Sequence, residues 1–205
     1  MSLLSSSVSI TCYKVSSELQ KPVLDTVYNG LTRHTIRSID DEPVEKTVGW
    51  TSFKNPYLPD FESSSFVIGS YLVFSLRLDK KTIPANVIRK NVAIEMEKQL
   101  KRSGRSYLSA NEKKTIKDHV TASLVRRIPA TPNVYDVVWN LEEYRLWFFS
   151  NLKAANEALE TLFLKSFNLT LIHLFPYTTA DLVLGLEGPE RDRLTQLEPT
   201  KFTES

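Results

Sequence analysis

The sequence predicts an α+β fold, with strand hairpins and packed helices in two small lobes and a basic antiparallel helical pair protruding from them. Three observations lead there. Alternating or β-branched apolar runs flank a central segment whose apolar residues recur every four positions. Glycine and proline mark the places where one period gives way to the other. No fixed-length repeat or low-complexity tract occurs in the 205 residues. At 41% hydrophobic and 24% charged residues, the chain can bury a core, and disordered, collagen-like and coiled-coil compositions are excluded.

The first element is β: Val8, Ile10 and Cys12 alternate with Ser9, Thr11 and Tyr13, placing Cys12 on an inner face. A helix capped by Ser16 or Ser17 follows to about Gly30, with Leu19, Val23, Val27 and Leu31 on one stripe and Pro22 in its first turn. Residues 40–60 connect, with a short strand in Glu45–Phe53 around Gly49 and Trp50. Phe66–Ile68 and Tyr71–Leu78 read as a hairpin turning at Gly69 and Ser70. Pro84 then opens a helix to Arg102, whose stripe is Ile88, Val92, Met96 and Leu100. Gly104 breaks it. Ser109 with Glu112 forms a capping-box signature for a second helix, which must stop before Pro129. A second hairpin follows in Val134–Trp139 and Tyr144–Phe149, then a helix in Asn151–Phe167 ended by Asn168, and a strand in Leu169–Phe175. The domain is expected over residues 1–178. Residues 179–205 read as a short helix, Thr179–Leu186, and a mobile tail.

Charge is unevenly placed. Residues 80–127 hold thirteen of the 26 basic residues but four of the 24 acidic ones, so the rest of the chain is net acidic. Such polarity suits a polyanion, because Lys and Arg gain free energy by releasing the counterions condensed on phosphates. Lys98, Lys101, Arg102, Arg105, Lys113, Lys114 and Lys117 gather at the tip of the helical pair, with Lys90, Arg126 and Arg127 peripheral. Long flexible cations position phosphates and read no bases, so little sequence preference is expected. No stretch reaches the ~20 apolar residues of a membrane span, and the N-terminus lacks a signal-peptide pattern, so a cytoplasmic protein without a membrane partner is expected.

The order of motifs resembles the recombination-associated protein RdgC family. Gly49-Trp50 precedes a hydrophobic hairpin; Lys80-Lys81-Thr82-Ile83-Pro84 opens the basic helical pair, which ends at Arg126-Arg127-Ile128-Pro129. The run Asn111-Glu112-Lys113-Lys114-Thr115-Ile116-Lys117-Asp118-His119-Val120 is similar to the family's charged second helix, and Arg145–Ser150, Lys153–Phe167 and Leu169–Pro176 to its next elements. The similarity spans about Val8 to Thr178. It implies a bacterial or phage protein, nucleoid-associated, that binds double-stranded DNA as a dimeric ring and restrains RecA-driven recombination. Family members continue well beyond this length, so the sequence reads as a shortened member without the part that helps close the ring. Ile128-Pro129-Ala130 departs from the family's usual Leu-Pro-Arg turn and alters a contact there.

The family also carries an exonuclease label, which directs attention to carboxylates able to hold Mg²⁺ beside a lysine. Asp60 and Asp79, with Lys81, fit the loose pattern of such a site; the bland reading has Asp79 ending a strand and Lys80 and Lys81 facing solvent. With no further motif, no cofactor is expected unless Mg²⁺ serves that alternative. A third reading is a protein-interaction module of phage or mobile-element origin. Six dispersed glycines make no phosphate loop. Cys12 reads as a buried thiol, His173 as a packed strand histidine, His119 as an exposed helical one that either touches phosphate or does nothing, and Trp50, Trp139 and Trp147 as core residues rather than base-stacking platforms.

Overall fold

In the computed structural model, which describes residues 3–62 and 65–197, seven strands form one antiparallel sheet. The elements in chain order are β1 (Thr11–Val15), α1 (Val23–Arg33), β2 (Lys46–Thr51), β3 (Val67–Ile68), β4 (Tyr71–Lys80), α2 (Ala85–Ser103), α3 (Ala110–Arg127), β5 (Thr131–Asn140), β6 (Arg145–Phe148), α4 (Lys153–Phe167), β7 (Leu171–His173), α5 (Pro176–Leu184) and α6 (Gly188–Thr195). Strand order is β2-β4-β5-β6-β1-β7, with β3 also paired to β4. Both halves of the chain therefore feed one sheet, and β4 with β5, paired along ten residues each, forms its spine.

One face of the sheet carries the core. Trp50, Phe74, Leu76, Trp139, Leu146 and Phe148 point there and meet Val27 and Leu31 of α1 and Leu159, Phe163 and Phe167 of α4. Trp50 meets Phe74 edge-on at 5.1 Å, and Trp139 meets Phe163 at 4.9 Å. The Trp50 indole also donates from Nε1 to Ser166 Oγ at 2.7 Å, satisfying its one polar atom inside the core.

Three local expectations are corrected. In β1 it is Thr11, Tyr13 and Val15 that are buried, while Cys12 turns to the opposite face and is partly exposed. Tyr13 decides this register, because its ring packs in the core while its hydroxyl donates to Asn156 Oδ1 at 2.7 Å and Glu160 Oε1 at 3.0 Å on α4; a shift by one residue would expel it. Burial, with the Glu160 carboxylate beside it, pushes the Tyr13 phenol well above its ordinary pKa. Next, α1 starts after Pro22 rather than at Ser16, since the residue before a proline avoids helical geometry. It also runs through Gly30, whose bare Cα lets α4 approach: a Cβ there would lie 2.5 Å from the Phe167 ring. Finally, residues 188–195, expected in a mobile tail, form α6, capped by Glu187 and Glu190 and tied to α5 by Arg191 on Asp181 at 2.6 Å. The rest of that tail, from residue 198, lies outside the described residues.

The helical pair, α2 and α3, stands off the sheet. No residue of α2 is buried, and only Val120 and Val125 of α3 are. Gly104 ends α2 with φ +62, a left-handed conformation that glycine adopts freely. The expected capping box forms, with Glu112 N donating to Ser109 Oγ and Ser109 N to Glu112 Oε2.

Candidate nucleic-acid interface

α2 and α3 lie against each other, with Ile88, Val92, Met96, Leu100, Ile116 and Leu124 partly buried and Val120 buried, and their other faces are left to charge. All ten basic residues expected to contact DNA, Lys90, Lys98, Lys101, Arg102, Arg105, Lys113, Lys114, Lys117, Arg126 and Arg127, are exposed. They do not form one uniform set. Lys98 pairs with Glu95 at 3.2 Å, Lys101 with Glu97 at 2.7 Å, and Arg105 with Glu112. The other seven have no ion pair among the described residues. Arg89, which the charge count includes, is likewise exposed and unpaired.

The pairings were legible as Glu residues three or four positions before Lys, the helical spacing that brings side chains together. Arg105 with Glu112 was not, since it crosses the tip. There the Ser109 amide and the Arg105 guanidinium hold the Glu112 carboxyl down at about 2. Lys101 similarly holds Glu97 below the usual carboxylate range.

The base of the pair is held by residues that sequence reasoning placed elsewhere. Lys81, read as either solvent-facing or catalytic, is 4% exposed. Its ammonium donates to Asp40 O at 2.7 Å, Glu42 O at 2.9 Å and Val125 O at 2.9 Å. Val125 O lies in the last turn of α3, where the helix dipole favours a cation. Asp40 supplies a second stitch: Oδ1 accepts from Ala130 N at 2.8 Å. That amide, helped by the Ser38 hydroxyl and the Lys81 charge, lowers the Asp40 pKa. Loop 34–45 is thus tied to both stems of the helical pair, and Ala130, the residue at which the turn departs from the family pattern, contributes through its backbone alone.

Asp79 is 2% exposed and grips the Arg77 guanidinium with both oxygens, each at 2.7 Å. Its row partner on β2 is Thr47, whereas Asp60 sits on an exposed loop where its side chain accepts from Glu62 N at 2.8 Å. The three residues of the nuclease reading therefore each have structural partners, and among the described residues no group of three or more His, Cys, Asp or Glu could hold a metal. His119 is exposed beside α2, and His173, expected to be packed, is exposed at the edge strand with its ring 5.4 Å from Tyr13. Trp50 and Trp139 are core residues as expected, but Trp147 lies on the opposite face of the sheet and is partly exposed. No helix among the described residues is long and apolar enough to cross a membrane.

No curated protein matches the chain. A family model does: the one described as "Putative exonuclease, RdgC" matches residues 9–181, from just before β1 into α5, and so takes in the whole sheet, both basic helices and the Lys81 anchor. A match over that much of the 205 residues, with the Gly-Trp strand, hairpin and basic helical pair in their expected order, means that the chain belongs to the RdgC family.

Proposed function

We propose that the protein binds double-stranded DNA with little sequence preference through the basic helical pair, and that it acts in recombination, where it restrains RecA. The observation that carries this reading is the set of eight exposed cations, Arg89 among them, that have no ion pair among the described residues and lie on two helices that stand clear of the sheet. Lys98 and Lys101 pair with glutamates of their own helix, whereas Arg102, Lys113, Lys114 and Lys117 have no ion pair among the described residues and remain available to phosphate. The absence of Asn, Gln or Arg clusters suited to base edges fits backbone contact. A homodimer and a nucleoid location belong to the same proposal, since a second copy would present two basic pairs to one duplex.

The test is binding of a fluorescent random-sequence duplex across a salt series without Mg²⁺. The affinity is expected to fall steeply, with a log-log slope of about 0.9 per phosphate contacted. Absence of binding at low salt overturns the reading and brings a protein partner for the helical pair to the front. Cutting of linear duplex with Mg²⁺, lost in Asp79→Asn while the fold is kept, would instead revive the nuclease alternative.

A further inference from the structure

The sheet has a second face, and its register assembles there something the basic helices do not use. Residues directly opposed in antiparallel strands point the same way, so Tyr71, Asn140, Arg145, Lys14 and Ile172 form one row across β4, β5, β6, β1 and β7. The next row is Val73, Val138, Trp147 and Cys12. Both rows lie on the face opposite the core. Tyr71 is 39% exposed, the Arg145 side chain is 56% exposed, and Lys14 and Trp147 are partly exposed. The Tyr71 and Trp147 rings meet at 6.2 Å with 63° between their planes. A shallow hollow of about 660 Å³ continues the surface past Cys12 and Arg145 to Phe175 on the way into α5.

We propose that this outer face of the sheet is a binding platform for single-stranded nucleic acid, with Trp147 and Tyr71 stacking on bases and Lys14 and Arg145 meeting the phosphates. Charge and geometry select that occupant. Lys14 and Arg145 are opposed across β1 and β6, a like-charge pair that costs the sheet free energy and that a phosphate placed over both would relieve. Glu143 stands 3.9 Å from Arg145 in a long, exposed ion pair, and Lys14 has no ion pair among the described residues. From Tyr71 to Lys14 the row crosses three strand spacings, about 14 Å, enough for a few nucleotides. Open sheets that carry two aromatics beside basic residues stack two or three bases in this way, and stacking tolerates any base because each offers a π-face. A duplex, its bases already stacked, gains nothing from Trp147. The platform shares no residue with the basic helical pair, so it stands or falls independently of the duplex reading.

The experiment measures anisotropy of labelled oligothymidylate and oligouridylate of about fifteen nucleotides, beside a labelled duplex. Three variants are compared with the unaltered chain: Trp147→Ala, the double exchange Lys14→Glu with Arg145→Glu, and a charge reversal of Lys113, Lys114 and Lys117. The first two are expected to weaken single-strand binding at least tenfold and leave duplex binding unchanged; the charge pair, being at the surface, guards against a packing effect of Trp147→Ala. Strand binding to either homopolymer that falls in both of these variants supports the platform. Failure of the unaltered chain to bind either strand, or strand binding lost only with the helical-pair reversal, overturns it. Unchanged duplex binding in the helical-pair reversal would overturn the duplex reading alone.

Discussion

The ammonium of Lys81, at the end of β4, donates at 2.9 Å to the carbonyl of Val125, in the last turn of α3. Forty-four residues of chain, nearly all of them the basic helical pair, are thereby closed at the base by a single buried cation. Its charge is met by three carbonyls and the helix dipole rather than by a buried carboxylate, an arrangement that tolerates no neutral replacement with the same reach.

Lys81→Met is therefore expected to destabilise the protein by about 2–3 kcal/mol, because apolar atoms replace the donor and leave buried acceptors unsatisfied. Denaturant unfolding gives the magnitude, and amide exchange should quicken around residues 125–130 before it does in β4 and β5. A Lys81 that served catalysis from an exposed position would leave both unchanged.

Gly30→Ala sets two effects against each other. Alanine favours an α-helix by about 1 kcal/mol over glycine. Here its methyl group would meet the Phe167 ring at 2.5 Å and Ser166 O at 2.9 Å, and the second atom is backbone. Overlap should win, with a net loss of about 1–3 kcal/mol. Adding Phe167→Leu should recover part of it, seen as a favourable coupling in a double-mutant cycle.

That position shows why some of the fold was legible and some was not. The periods of α2, α3 and the β3–β4 hairpin lie in neighbouring residues, as do the Ser109–Glu112 box and the stop before Pro129, so spacing alone places them. Gly30 is read as a terminator because its role depends on Phe167, more than a hundred residues away. The inward face of β1 likewise depends on where Asn156 and Glu160 wait for the Tyr13 hydroxyl, and Trp147 is separated from the core tryptophans by strand parity that its own neighbours do not reveal. At the interface, the exposure of the ten cations follows from helical position, whereas the burial of Lys81 follows from a loop that returns from residue 40.

Glu112 provides a pH dependence. Its folded pKa, about 2, lies below the ordinary 4.5, so its contribution to the tip is complete above pH 4.5 and is lost as pH falls toward 2. The difference in thermal stability between the protein and Glu112→Gln should be constant from pH 7 down to about 5 and then shrink. A difference that persists unchanged at pH 2 would show that Arg105 and Ser109 do not hold the ionised form.

The exposed cations divide into two classes with separable consequences for DNA. Lys98, Lys101 and Arg105 already have carboxylate partners, so a phosphate must displace Glu95, Glu97 or Glu112 before it gains them. Arg102, Lys113, Lys114 and Lys117 release counterions without that exchange. Neutralising each of these four to Gln should lower duplex affinity and reduce the log-log salt slope by about 0.9 apiece where the phosphate contact is made. The same change at Lys98 or Lys101 should alter the slope less, because a lysine held by a carboxylate makes less than a full phosphate contact to lose. Equal slopes for both classes would mean that the ion pairs open at no cost in the complex, and that exposure rather than pairing decides which cations reach the duplex.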